Sequence, residues 1–256
     1  MYQVTKYNLA KIAFQIFPQL RFERTTFLLG HMRCGSSVLS NVLMANKLIS
    51  GYGETHVSYK TKYSPALLGI SLLRNGINPF KNGLMFDKIL HNGHDGYPDC
   101  SFYNASAIFL IRHPVETVSS LCFLAKKCNN LHQSFVDPEV CLDYYISRLN
   151  NLKCSWNRFP KKNRYMLSYE SLLENTEKQL NAISTKIFNN EEIKNKYYVS
   201  HSKMGSGDPI NMHKFSSIKS IKKNPDAEST KERVLKLESL ITAERLYEQF
   251  LEYNNR

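Results

Sequence analysis

The sequence predicts an α/β fold, a parallel sheet flanked by helices, and three observations carry that expectation. Short apolar runs bounded by turn residues, Thr25-Thr-Phe-Leu-Leu-Gly30, Ala107-Ile-Phe-Leu-Ile111 and Arg164-Tyr-Met-Leu-Ser168, read as buried strands. Each is followed by a helical pattern. A strand that hands over to a helix three times in succession points to parallel strands with helices on both faces, and places any ligand at the carboxyl ends of the strands.

The elements follow in order. Tyr7 to Leu20 is moderately apolar, but Lys11, Gln15, Pro18 and Gln19 interrupt it, so neither a signal-peptide core nor a membrane span fits. After the first strand, Ser37 to Lys47 carries Val38, Leu39, Val42, Leu43 and Ala45 at helical spacing. After the second, Pro114 opens a helix to Lys127, a proline being tolerated in a first turn. After the third, Tyr169 to Phe188 repeats Leu172, Leu173, Leu180, Ile183 and Ile187 along one helix. Glu139 to Phe159 and Glu228 to Tyr253 read as two further helices that pack as core staves, and Phe86 to Leu90 as a further strand. The polar stretch from Ser200 to Pro225 reads as a long loop, and long loops in compact domains carry function more often than not.

At 256 residues with 42% apolar and 22% charged residues, the chain fits one globular domain, with a binding core over about 25–190 and a closing loop over about 200–225 ahead of a C-terminal helix. Six cysteines without a CxxC pair, and no export signal, favour reduced thiols in a cytoplasm over a disulfide framework or a metal site. His91 and His94 lack further ligands nearby in sequence and read as loop residues. A net charge of +12 implies attraction to anions, whether nucleic acid, a membrane surface or a polyanionic small molecule. The cations are spread along the chain and no nucleic-acid motif accompanies them, which disfavours nucleic acid as partner.

The first strand runs into Gly30-His-Met-Arg-Cys-Gly35-Ser36-Ser37 and directly into a helix, a layout that presents backbone N–H groups and a positive helix end to an anion. Against the Walker pattern the glycines fit, but Ser36 stands where the NTPase lysine belongs, which disfavours a P-loop kinase. The second strand ends in Ile111-Arg112-His-Pro-Val-Glu-Thr-Val-Ser119-Ser120, an arginine at a strand end and a serine eight residues on. A guanidinium suits phosphate because its fork offers parallel donors.

Taken together these segments resemble the sulfotransferases that use 3′-phosphoadenosine 5′-phosphosulfate (PAPS). The resemblance runs in order from about Thr25 to Lys223 and implies a P-loop-type, nucleotide-kinase-like fold. It implies that Arg33 lies near the bridging oxygen of the donor, that Cys34, Gly35, Ser36 and Ser37 cradle the 5′-phosphosulfate, and that Arg112 and Ser120 hold the 3′-phosphate. Tyr169, in a Tyr-Glu pair, is similar to a nucleotide-binding tyrosine of the family, or else a buried tyrosine at a helix start. Lys214, Ser216 and Ser217 resemble the loop that closes on the nucleotide. Gly51-Tyr-Gly-Glu54-Thr-His56-Val57 looks like an element of the tyrosylprotein sulfotransferases, with the valine one residue early, and implies Glu54 as catalytic base. His56 and His31 are rival bases, or else structural or solvated histidines, and Lys88 resembles a second active-site lysine by order along the chain, or else is an edge-strand lysine.

The implied activity is transfer of a sulfuryl group from PAPS, releasing adenosine 3′,5′-bisphosphate, with no metal required. The acceptor would be a hydroxyl or amine of a small molecule: a polar metabolite, a natural product such as a saxitoxin-type alkaloid, or a sugar. The segment from Val57 to Asn82, with Asp99 to Tyr103 and Asn129 to Asp137, has the mixed polar and aromatic character of an acceptor pocket, with Tyr59, Tyr63, Phe80, Tyr103 and Phe135 to line it. The competing reading is a non-catalytic nucleotide or nucleic-acid binding protein using the basic surface.

Overall fold

The computed structural model describes residues 2–80, 83–128, 132–197, 216–219 and 228–253. Five strands, β1 (Thr25–Gly30), β2 (Ile49–Ser50), β3 (Leu84–Ile89), β4 (Ser106–Ile111) and β5 (Arg164–Ser168), form one sheet in the order β2-β3-β1-β4-β5. Every neighbouring pair is parallel. Strands covered on both faces need no polar side, which is why β1 and β4 are near-continuous apolar runs. The pleat sorts them: Phe27, Leu29 and Phe109 enter one core, Leu28, Ile108 and Leu110 the other.

The first core lies under α5 (Pro114–Lys127), α6 (Pro138–Arg158) and α10 (Ser239–Tyr253). The second lies under α2 (Ser36–Met44) and α8 (Thr176–Ile187). A third, smaller core joins α1 (Tyr2–Ile16) to α3 (Ser64–Arg74) through Ala10, Leu20, Ala66 and Leu72. A four-residue helix, α4 (Asn92–Asp95), follows β3.

Three expectations change. The helix over Tyr169–Phe188 is two, α7 (Tyr169–Glu174) and α8, because Asn175 leaves helical geometry at φ −133° and ψ 49°. The C-terminal helix is also two, α9 (Glu228–Val234) and α10; the turn between them projects Leu235 into solvent and lets both Val234 and Leu240 reach the core. Within the Val57–Asn82 segment, 11 residues form α3, whose Leu68 and Leu72 are fully buried, so this part builds core. No described helix is long and apolar enough to cross a membrane.

A buried ion pair locks the carboxyl end of the sheet. Arg148 on α6 is fully buried; its guanidinium meets Asp95 at 2.5 and 2.9 Å and donates to the carbonyls of Gly30 (2.8 Å) and Ile89 (3.0 Å), the ends of β1 and β3. Removing one member of such a pair strands the other charge in low dielectric, so Asp95→Ala should lower unfolding free energy by about 3–5 kcal/mol. The urea midpoint measures that loss.

Candidate functional site

Between β1 and α2 the backbone makes a tight left-handed passage, with Arg33 at φ 65° and Gly35 at φ 89°. Gly35 is doubly required. A Cβ there would sit in the left-handed region and lie 2.3 and 2.5 Å from ring carbons of Tyr169. Gly35→Ala should therefore push Tyr169 off the loop and lower unfolding free energy by roughly 1–3 kcal/mol, to be read from the urea midpoint. The adjacent residues divide their work: Cys34 turns its thiol into the core, where burial raises its pKa, so only its backbone faces the turn. Ser36 is almost buried at the first helical position and Ser37 is partly exposed beside it.

The second loop docks against the first. Arg33 Nε donates to Ser120 Oγ at 2.9 Å, and Arg112 Nη1 donates to the Arg33 carbonyl at 3.1 Å. The Arg112 guanidinium lies 4.7 Å from the centroid of the Tyr169 ring, while Nη2 is 3.6 Å from Glu116 Oε2. Its Nε is buried without a hydrogen-bond partner. Arg33, Gly35, Arg112, Ser120 and Tyr169, dispersed over 137 positions of sequence, thus meet at one point. Glu170, the other half of the Tyr-Glu pair, accepts from the His113 backbone N–H (3.1 Å) and from the Tyr247 hydroxyl (2.9 Å), fixing the start of α5.

His31 proves to be scaffold and is no rival base. Its ring is fully buried, Nδ1 pairs with the Met32 carbonyl at 2.9 Å, and Nε2 therefore accepts the Arg112 backbone N–H at 3.1 Å. Burial pulls its pKa down to about 3, keeping this tautomer neutral. Helix α6, expected only as a core stave, supports the same end of the sheet. Its Tyr144 hydroxyl donates to Leu90 O and accepts from Met32 N, both at 2.8 Å, and Tyr145 donates to Arg112 O at 2.8 Å.

Glu54 reaches this end of the sheet from the loop after β2. Its side chain is only 12% exposed; Oε2 lies 3.9 Å from Lys88 Nζ and Oε1 lies 3.9 Å from His91 Nε2. Lys88, 2% exposed, extends to 3.5 Å from Ser37 Oγ, and burial lowers its pKa despite Glu54. It is an interior lysine of β3, between β1 and β2, and the edge-strand alternative falls. His91, read from sequence as an ordinary loop residue, comes up beside Glu54; its side chain is 41% exposed, and desolvation lowers its pKa while Glu54 raises it. His56 is exposed at φ 56°, with its ring 5.5 Å from that of His94. The contact to Glu54 comes from His91, three positions after Lys88, a spacing no short motif had marked.

Other expectations move. Tyr59 cannot line a pocket: it is fully buried, and its hydroxyl donates to Asp87. Tyr103 is likewise buried, against Phe102 and Phe159. Phe135 lies on the surface of α6 beside Tyr144, 5.7 Å between ring centroids, and Tyr144 in turn lies 5.9 Å from His91. Ser216 and Ser217 are held alongside residues 195–197 by the bonds Tyr197 N to Ser216 O and Ile218 N to Asn195 Oδ1. Lys214 lies outside the described residues.

Residues 99–187 match a family model described as the sulfotransferase family. Among solved structures, the sulfotransferase domain from the curacin biosynthetic pathway is similar at TM-score 0.60 and 16% identity, over 88% of this chain and 96% of that one. The sulfotransferase domain from the Synechococcus PCC 7002 olefin synthase gives TM-score 0.60 and 17% identity, over 89% and 94%. No curated protein sequence matches significantly. The chain shares the fold of these sulfotransferase domains, and the segment that matches the sulfotransferase family model carries Arg112, Ser120 and Tyr169.

Proposed function

We propose that the protein transfers a sulfuryl group from PAPS to a hydroxyl or amine of a small polar acceptor, such as a metabolite, a natural product or a sugar. The observation that carries this reading is the Arg112 guanidinium, held on Arg33 O, Glu116 and the Tyr169 ring with one buried N–H unsatisfied. A buried donor without an acceptor costs about 1–3 kcal/mol, which a bound phosphate oxygen offsets. Arg112 and Ser120 would take the 3′-phosphate, and the turn from Arg33 to Ser37, at the start of α2, the 5′-phosphosulfate.

In the transfer, the acceptor oxygen or nitrogen forms a bond to sulfur as the bond from sulfur to the bridging oxygen breaks. The acceptor proton goes to a base, and the electron pair of the broken bond stays on the leaving phosphate. Lys88 and Arg33 supply cations where that charge develops, and cations preorganised in a dry site stabilise it most. Glu54 is the base by position, with a nearly buried carboxylate facing the same space. His91 is the second reading, favoured by its 3.9 Å approach to Glu54 and its lowered pKa. No hydrogen bond spans the 3.9 Å between them, so either side chain would take the acceptor proton on its own.

Calorimetric titration with adenosine 3′,5′-bisphosphate, AMP and ATP tests the donor assignment. Binding that requires the 3′-phosphate is expected. Equal affinity for all three would overturn it and favour a non-catalytic nucleotide or nucleic-acid binder.

A further inference from the structure

Asp87 is a fully buried carboxylate one residue before Lys88 that the transfer chemistry does not use. It is not idle. Oδ1 accepts from the backbone N–H groups of Thr55 and Lys88, both at 2.9 Å; Oδ2 accepts from the Thr55 hydroxyl at 2.7 Å and the Tyr59 hydroxyl at 2.6 Å. Neighbours on a strand point to opposite faces, so Asp87 and Lys88 flank the backbone on two sides. Glu54 and Thr55 match them, Glu54 facing Lys88 and Thr55 bonded to Asp87. One further bond, Lys88 N to Gly53 O at 3.1 Å, closes the loop on the strand.

We propose that Asp87 is a positioning residue for sulfuryl transfer: its carboxylate clamps the loop that carries Glu54 onto the strand that carries Lys88, setting the distance between base and cation. The inference rests on the sulfotransferase reading above. A loop glutamate held only by its own backbone would sample many positions, and misplacement of a reacting group by about 1 Å can cost on the order of 10²-fold in rate. The titratable groups that face the clamp are Tyr59 and Tyr52, Glu54 in the loop and Lys88 along the strand. Burial pushes the Asp87 carboxyl up to about 7, and the bonds from Tyr59 and Thr55 pull it back toward the ionised form. Loss of the Thr55 hydroxyl therefore weakens the clamp twice, by removing a bond and by favouring protonation.

The test uses Asp87→Asn, Thr55→Val and Thr55→Ser in the full chain. Two quantities are measured: affinity for adenosine 3′,5′-bisphosphate, and release of labelled sulfate from radiolabelled PAPS with water as acceptor. Asp87→Asn and Thr55→Val should each slow sulfate release by at least tenfold with nucleotide affinity within twofold of wild type, and Thr55→Ser should restore the rate. If Asp87→Asn does not fold, the Thr55 pair decides. Wild-type rates in Thr55→Val, or nucleotide affinity falling in parallel with rate, overturn the proposal. A wild-type protein that neither binds the bisphosphate nor releases sulfate fails differently, because then the sulfotransferase reading itself is wrong.

Discussion

Arg112→Ala should weaken binding of adenosine 3′,5′-bisphosphate on the order of 10²-fold while changing AMP affinity far less. Each hydrogen bond to a charged group contributes about 1.5–3 kcal/mol, and the phosphate loses its forked donor. The guanidinium is already immobilised by Arg33 O, Glu116 and the Tyr169 ring, so little side-chain entropy is lost when phosphate arrives. Arg112→Lys should recover only part of the affinity, because an ammonium keeps the charge and loses both the fork and the guanidinium contact with the Tyr169 ring. Some AMP affinity should fall in the alanine variant, since Arg112 also braces the backbone of Arg33. The ratio of the two losses is therefore the diagnostic quantity, read by calorimetry on both ligands. Equal losses would mean that Arg112 only supports the first loop and does not contact the 3′-phosphate.

The strands and the loops at their ends were legible in the sequence because both have local causes. A strand covered on both faces is mostly apolar, as Phe27–Leu29 and Ala107–Ile111 are, and a turn at φ 89° against a tyrosine ring must be glycine. The spacing of Arg112 and Ser120 survives because one helix start carries both. What stayed hidden depends on burial, which no local pattern reports. Arg148 and Asp87 read as ordinary charged residues and are among the most buried polar groups of the protein. His31 stands next to the phosphate-type loop in sequence and looked like a base, yet both its nitrogens are engaged in holding backbone. His91 reads as a loop residue because its partner, Glu54, is 37 residues away and no periodicity links them. Tyr59 looked like a pocket residue because a phenol suits a wet wall; a buried carboxylate suits it equally well.

Glu54→Gln should lower turnover by about 10²- to 10⁴-fold, the usual contribution of a positioned general base, and leave affinity for adenosine 3′,5′-bisphosphate nearly unchanged. Glutamine keeps the shape, so the Thr55 clamp and the approach to Lys88 survive, but the amide does not accept a proton. The substitution also removes the negative charge that favours the ammonium form of Lys88, a group that burial already pushes toward neutrality. Part of the loss then comes from the cation, and the pH–rate profile separates the two. Loss of the base removes the acidic limb, whereas a further lowered lysine moves the alkaline limb to lower pH. His91→Asn, which retains a polar side chain but no titrating ring, should cost less than Glu54→Gln if the carboxylate takes the proton first. The reverse order would assign the base to His91.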